Sequence, residues 1–207
     1  MKPKQQYIVL SFIILTLFLA SQINFNCPFF WDEAWSYMRT IDWMGHHNIT
    51  LNPVAIDPDI SRAHPLGFYA FVSLFAKVFG SSNCFFHLFM FIANSVLIFL
   101  FTWEFSTEKN TKQSILILAL FIFQGVTITQ LPFVLPEIFI ALLSTLAVLY
   151  FFHSRLLPFL LTSIAVVLIK ESSIVLLVTL WAYGLLRLFK KKGSMLLLIG
   201  LAIPYGS

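Results

Sequence analysis

The sequence predicts an all-α fold, a polytopic bundle of transmembrane helices, and three observations lead to this prediction. Hydrophobic residues make up 59% of the 207 positions, and charged residues only 11%, where a soluble domain has about 25%. The apolar residues are gathered in successive runs of a length suited to membrane helices. The basic residues are spread over the loops between the runs, so the net charge of +4 does not indicate nucleic-acid binding.

The first apolar run covers residues 7–23 and follows Lys2 and Lys4. Two interpretations fit this pattern: an uncleaved signal-anchor, and a cleaved signal peptide ending near Ala20 and Ser21. The signal-anchor is the simpler one, because the rest of the chain is itself predicted to span the membrane.

A long, mostly polar stretch over residues 24–65 comes next, followed by an apolar run over residues 66–79 that contains Lys77. This run is short for a span and is predicted to be a helix lying at the membrane interface. Residues 24–83 are therefore predicted to form an extracytoplasmic loop that carries an interfacial helix.

Five further spans are predicted over residues 84–103, 115–131, 137–152, 157–169 and 172–188. A last apolar run begins near Met195 and stops at Ser207, which is too short to span. We therefore expect residues 1–207 to form one transmembrane module, the N-terminal portion of a longer protein truncated at its C-terminus.

The distribution of charge predicts the orientation of these spans. With the N-terminus in the cytoplasm, the inner loops hold nine of the 13 basic residues: Lys2, Lys4, Lys109, Lys112, Arg155, Arg187, Lys190, Lys191 and Lys192. Most acidic residues fall outside: Asp32, Glu33, Asp42, Asp57, Asp59, Glu137 and Glu171. The predicted location is thus a plasma or inner membrane, crossed several times, with any active site on the extracytoplasmic face.

Asp32 and Glu33 stand side by side among aromatic residues just past the first span. Desolvation and mutual repulsion raise the pKa of such a pair, which suits a group that accepts a proton. One carboxylate is predicted to be a general base, and the other to bind a cation or an acceptor. The alternative is structural, with Asp32 as the N-cap of a helix beginning near Glu33.

Arg62 and His64 precede Pro65, a residue that suits the first position of a helix. Arg62 is predicted to contact a phosphate with both arms of its guanidinium group. His64 is predicted to bind phosphate or contact an acceptor, and a polar cap at a loop-to-helix junction is the alternative for it.

Glu137 opens the fourth span, where the helix dipole alone would favour an acid. Lys170 and Glu171 lie between two short apolar segments, where a charged pair is a candidate functional site. Lys170 is predicted to bind a lipid phosphate, with Glu171 orienting it. A self-neutralising pair at a helix turn is the alternative.

Cofactors have weak support in the sequence. The outer acidic residues are numerous enough to bind a divalent cation, but no spacing demands one. Cys27 and Cys84 lie in or near the same predicted loop, and they could form a disulfide or remain two free thiols. Their spacing is not that of a structural zinc site. There is no nucleotide-binding motif, so a donor used on this face would be carried in the membrane.

Taken together, these motifs resemble a known family. They are the Asp32 and Glu33 pair, the stretch His-Pro-Leu-Gly-Phe-Tyr at 64–69, Pro136 with Glu137, and Leu-Ile-Lys-Glu-Ser at 168–172. This pattern resembles the N-terminal half of GT-C membrane glycosyltransferases, in particular the group with protein O-mannosyltransferases, the lipid A aminoarabinose transferase and bacterial family 39-like enzymes.

The resemblance implies an inverting transferase that moves a sugar from a polyisoprenyl-phosphate donor to a hydroxyl of a lipid, glycan or protein acceptor. Asp32 matches the family's base, Glu33 its second acid, and Lys170 the lysine near the donor phosphate. The chain departs from the family at His64, where a second proline is usual, and at Glu171, where glycine is common.

Two other functions fit the same residues. A transporter or flippase of a lipid-linked sugar would use the outer acids to hold its cargo, but such proteins place polar groups at broken helices near mid-membrane. The second to fourth spans are nearly free of such groups. A non-catalytic assembly subunit would instead dock a partner on its acidic loop.

Overall fold

The computed structural model describes residues 3–60, 65–105 and 111–189, and within these ranges the regular structure is helical, without strands. The α-helices are α1 (Pro3–Ser21), α2 (Arg39–His46), α3 (Gly67–Phe79), α4 (Asn83–Phe105), α5 (Thr111–Ile122), α6 (Gly125–Gln130), α7 (Glu137–Phe152), α8 (Leu156–Ile169) and α9 (Ser173–Phe189). A π-helical turn (Glu33–Met38) and a 3-10 turn (Pro53–Ala55) lie between α1 and α3. The predicted all-α class is confirmed for this part of the chain.

The predicted spans coincide with α1, α4, α7, α8 and α9, but the third span is not one helix. It is divided into α5 and the short α6, because Gln124 adopts an extended backbone conformation (ψ of 131°) immediately before Gly125. The last apolar run, from Met195 onward, lies outside the described residues.

The helices pack around α7 and α4. α7 contacts α8 along much of its length and also contacts α4 and α9, while α1 and α5 pack against α4. The predicted loop is folded onto the ends of these helices rather than projecting from them. Its side chains Tyr37, Ile41, Met44 and Ile56 are buried in one apolar core with residues of α3, α4 and α7.

The bundle has two chemically different ends. We call the end that carries Asp32, Glu137, Lys170 and Glu171 the acidic end. At the opposite end, Arg155 donates to Glu104 over 2.8 Å. This division agrees with the two faces that the charge distribution predicts.

α3 both begins and ends near the acidic end. Gly67, its first residue, lies against the backbone of Leu168 in the last turn of α8. Asn83, which follows α3, donates through its side chain to Cys27 O, 3.4 Å away in the first loop. The interfacial position predicted for this helix stays a prediction.

Among the described helices, one stretch, Asn83–Glu104, is long and apolar enough to cross a bilayer. α1, α3, α7, α8 and α9 are apolar but shorter. They also expose large apolar side chains to their surroundings, including Leu17 at 65% and Val175 at 70%. By length and composition, the described residues thus contain one candidate span.

Candidate functional site

Glu33, which directly follows Asp32, is buried, with 1% of its surface exposed. The Val134 N–H donates to its Oε1 over 2.7 Å, and the Phe30 N–H donates to its Oε2 over 3.1 Å. The His87 Nε2 atom lies 3.0 Å from the same Oε1. One carboxylate thus joins the π-helical turn, α4 and the segment before α7.

His87 is a site residue that the sequence reasoning missed. It is fully buried near the start of α4, and its Nδ1 lies 3.0 Å from Phe25 O and 3.6 Å from Cys27 Sγ. A signal was present, because an ionisable residue within an apolar span is a candidate functional group by default.

These contacts change the expected role of Glu33. Its two oxygens accept hydrogen bonds from protein groups, and the side chain is almost inaccessible. The geometry therefore favours a positioning role for Glu33 over the catalytic role predicted from the sequence. The pair predicted as one chemical unit is divided between the protein interior and the surface.

Asp32, by contrast, has an exposed side chain. It precedes the π-helical turn in a helical backbone conformation, but its side chain makes no capping hydrogen bond, so the N-cap alternative has no support here. Trp31, immediately before it, has a φ of 41°. A left-handed conformation at such a residue costs about 1–3 kcal/mol and often occurs at functional sites, as π-helical turns do.

The Asp32 side chain lines a cleft of about 320 Å³ between its own turn and the connection from α6 to α7. Glu137, the first residue of α7, and Gln130, the last of α6, line the same cleft. Glu137 Oε2 and Gln130 Oε1 are buried acceptor atoms that meet no donor among the described residues. The cleft is thus lined by residues that carry acceptor groups, and the Asp32 carboxylate is the exposed one among these three.

Lys170 lies immediately after α8 in an extended conformation, and its side chain is 27% exposed. Its Nζ is 3.9 Å from Glu137 Oε1. The ammonium group is therefore placed at the N-terminus of α7, on the same side of the bundle as the cleft.

Tyr37 and Tyr69 stack at the base of this region, with ring centroids 5.6 Å apart. Burial raises the pKa of Tyr37, and the charges of Glu137, Asp32 and Glu171 raise it further. Burial and the charge of Glu171 likewise raise the pKa of Tyr69. The structure therefore gathers three predicted acids around one tyrosine pair.

Arg62 and His64 lie outside the described residues. Cys27 and Cys84 are free thiols, so of the two alternatives the unpaired one holds. Within the described ranges, no three His, Cys, Asp or Glu side chains form a group that could hold a metal ion.

Comparison with known proteins identified no relative: no family model matches the chain, and no curated protein or solved structure matches it. The resemblance to membrane glycosyltransferases therefore depends on the motifs alone.

Proposed function

We propose that the protein is an inverting glycosyltransferase of GT-C type that moves a sugar from a polyisoprenyl-phosphate donor to a hydroxyl acceptor at the extracytoplasmic membrane face. The observation that supports this best is the convergence of Asp32, Glu137, Lys170 and Glu171 at one end of the bundle. They come from three separate parts of the chain and combine a base, an ammonium group and a cleft.

In this reaction Asp32 is the general base. Its exposed carboxylate at the cleft accepts the proton of the acceptor hydroxyl as the hydroxyl oxygen attacks C1 of the sugar. The new C1–oxygen bond forms as the bond from C1 to the donor phosphate oxygen breaks, and the electron pair leaves with the phosphate. Attack opposite to the leaving group inverts the configuration at C1.

Lys170 stabilises the departing phosphate. The Lys170 Nζ lies 3.9 Å from Glu137 Oε1, which is longer than a hydrogen bond. The two groups therefore form an ion pair without a hydrogen bond between them. The ammonium N–H groups are therefore able to turn towards a phosphate oxygen, where a charge-assisted contact is strongest. Arg62 is the second cation in this proposal.

An apolar groove next to Lys170 supports a donor carried by lipid. The groove has a volume of about 310 Å³ and lies between α3, α4, α7 and α8, with Phe71, Leu97, Phe139 and Ile169 among its lining residues. Ile169 directly precedes Lys170, so a chain lying in the groove would bring its phosphate to the ammonium group.

The membrane setting is part of the proposal. Besides α4, the shorter helices α1, α7, α8 and α9 are apolar and expose large apolar side chains, which fits a multi-pass bundle in lipid. α8 has 14 residues and is about 21 Å long at 1.5 Å per residue. That is less than the bilayer core of about 30 Å, so we expect local thinning of the membrane beside it.

The decisive experiment measures transfer from a panel of radiolabelled polyisoprenyl-phosphate sugars by membranes that contain the protein. We expect one donor to be used, and Asp32→Asn to abolish its use. Asp42→Asn is the matched control, because Asp42 is an exposed acid of the same loop that pairs with His46. No transfer from any donor by a folded protein would favour the transport or assembly alternatives.

A further inference from the structure

We propose that His87 is held as an imidazolium ion and that, through Glu33, it positions the turn that carries Asp32. The protonation of His87 is independent of the protein's activity, whereas its importance for catalysis rests on the proposed function. His87 is a positioning residue in this proposal, since it has no contact with the cleft that Asp32 lines.

The contacts of the two ring nitrogens define the charge. Nδ1 lies 3.0 Å from the backbone oxygen of Phe25, and a carbonyl oxygen only accepts, so Nδ1 carries a hydrogen. Nε2 lies 3.0 Å from Glu33 Oε1, and an ionised carboxylate also only accepts, so Nε2 carries a hydrogen as well. A ring with both hydrogens is a cation.

A neutral pair would require Glu33 to be protonated and to donate from Oε1 to His87. The same Oε1 already accepts the Val134 N–H over 2.7 Å, a short distance that is typical of an ionised acceptor. Oε2 also accepts a backbone N–H, from Phe30. Both backbone groups that contact the carboxylate are thus donors, which favours the ionised form.

Among the residues that the structure describes, the surroundings of His87 provide one compensating charge. The titratable groups that face it are Glu33 and Cys27, and the rings of Phe29 and Phe133 pack edge to face against it with centroids 5.2 and 5.9 Å away. Burial and the charge of Glu33 raise the pKa of Cys27, which keeps it a neutral thiol. Glu33 is therefore the counter-ion.

A buried ion pair is costly and gives little net stability compared with apolar packing, so its value here is geometric. Glu33 follows Asp32 directly, and its bond to the Phe30 N–H closes the turn that contains the left-handed Trp31. If His87 lost its charge, Glu33 would be buried without a counter-ion. Moving Glu33 towards solvent would displace Asp32 from the cleft.

The first test is spectroscopic and does not depend on activity. In a protein labelled with ¹⁵N-histidine, the other four histidines are replaced by glutamine: His46, His47, His64 and His153. We expect the remaining His87 ring to show the cationic nitrogen pattern at pH 7.5. The pattern of a neutral ring with its hydrogen on Nδ1 would overturn the proposal.

The second test uses Cys27 as a reporter of the turn, in a Cys84→Ser background. Because Cys27 Sγ contacts His87, we expect His87→Gln to expose the thiol and to increase its rate of maleimide labelling. His153→Gln, at an exposed position, is the control and should leave labelling unchanged. Unchanged labelling in a folded His87→Gln protein would overturn the positioning role.

Activity gives a third readout. We expect His87→Gln to lower kcat with little change in the donor KM, and the wild-type activity to fall at high pH with the midpoint at which the His87 spectrum becomes neutral. If the pH midpoint of activity differed from the pH midpoint of the His87 spectrum, the proposal that His87 positions Asp32 would be overturned. If the wild type transfers no sugar at all, the proposed function fails, while the spectrum and the labelling still decide the charge of His87.

Discussion

At the scale of single residues, the adjacent acids Asp32 and Glu33 have opposite environments. Successive residues on a helical turn point about 100° apart, so one side chain of such a pair can face the core while the other faces solvent. Glu33 is buried against His87, whereas Asp32 is exposed at the cleft. We therefore expect substitutions of the two acids to have separable effects on activity and on stability.

For Asp32→Asn we expect transfer to fall by about 10²–10⁴-fold, the usual contribution of a general base. The free energy of unfolding should change by less than about 0.5 kcal/mol, because the side chain is exposed. Initial rates and chemical denaturation measure the two quantities. Wild-type rates in the variant would show that Asp32 is not the base.

For Glu33→Gln we expect a loss of about 3–5 kcal/mol of stability, because removing one partner leaves the His87 charge buried alone. The amide NH₂ would also face donors such as the Val134 N–H. Denaturant unfolding in detergent measures the change. A stability equal to that of Asp32→Asn would contradict the buried pair.

Tyr37 and Tyr69 give a prediction about alkaline pH. Their pKa values are raised in the folded protein by burial and by nearby carboxylates. The folded state therefore retains their protons more tightly, and this contribution is complete below about pH 10, the unfolded value. It is lost as the pH rises from there towards the folded pKa.

We accordingly expect the free energy of unfolding to decrease with pH above about pH 10, and the tyrosinate absorbance of these two residues to appear with unfolding. Tyr37→Phe should reduce the slope. If the stability of Tyr37→Phe and of the wild type fell equally steeply with pH, the raised pKa of Tyr37 would be contradicted.

At the scale of elements, the close approach of α3 and α8 depends on one glycine. A Cβ at Gly67 would lie 2.6 Å from Leu168 O and 2.7 Å from Leu168 Cβ, which real Cβ atoms do not tolerate. Because Leu168 O is a backbone atom, the two helices would have to separate. Gly67 and Leu168 also line the apolar groove, so the groove would change shape.

We expect Gly67→Ala to destabilise the protein by about 1–3 kcal/mol, as overpacking does. Gly45→Ala in α2 is the matched control, since a Cβ there meets nothing within 4 Å. It should be neutral or stabilise by up to about 1 kcal/mol through helix propensity. Thermal or denaturant unfolding of both variants tests the pair, and equal effects would contradict the close contact.

At the scale of the whole molecule, the bundle separates its charges by end. Asp32, Glu137 and Lys170 lie at the acidic end, and the Glu104–Arg155 pair lies at the other. In the proposed membrane orientation, the acidic end is extracytoplasmic. This orientation is testable without any assay of activity.

We expect a cysteine at Val54, which is 83% exposed in the first loop, to react with an impermeant maleimide on intact cells. A cysteine at His153, in the turn between α7 and α8, should react only after the membrane is opened. The unsubstituted protein gives the background of Cys27 and Cys84. The reverse pattern would invert the orientation and place the cleft in the cytoplasm.

The helical class, the positions of most helices and the grouping of Asp32, Glu137, Lys170 and Glu171 at one end of the bundle could all be predicted from the amino-acid sequence. These features follow from apolar runs and charge counts, which are local along the chain. The break between α5 and α6 was missed, because its one local signal is Gly125, and a single glycine is also tolerated inside a helix.

The burial and the hydrogen bonds of Glu33 depend on the tertiary structure. Its partners His87 and Val134 are 54 and 101 positions away, and no local pattern links residues so distant. The stacking of Tyr37 on Tyr69 is decided in the same way, by the packing of the loop onto α3. Burial and hydrogen bonding between distant elements determine which of the two adjacent carboxylates is exposed to solvent. The residues next to them along the chain do not predict either property.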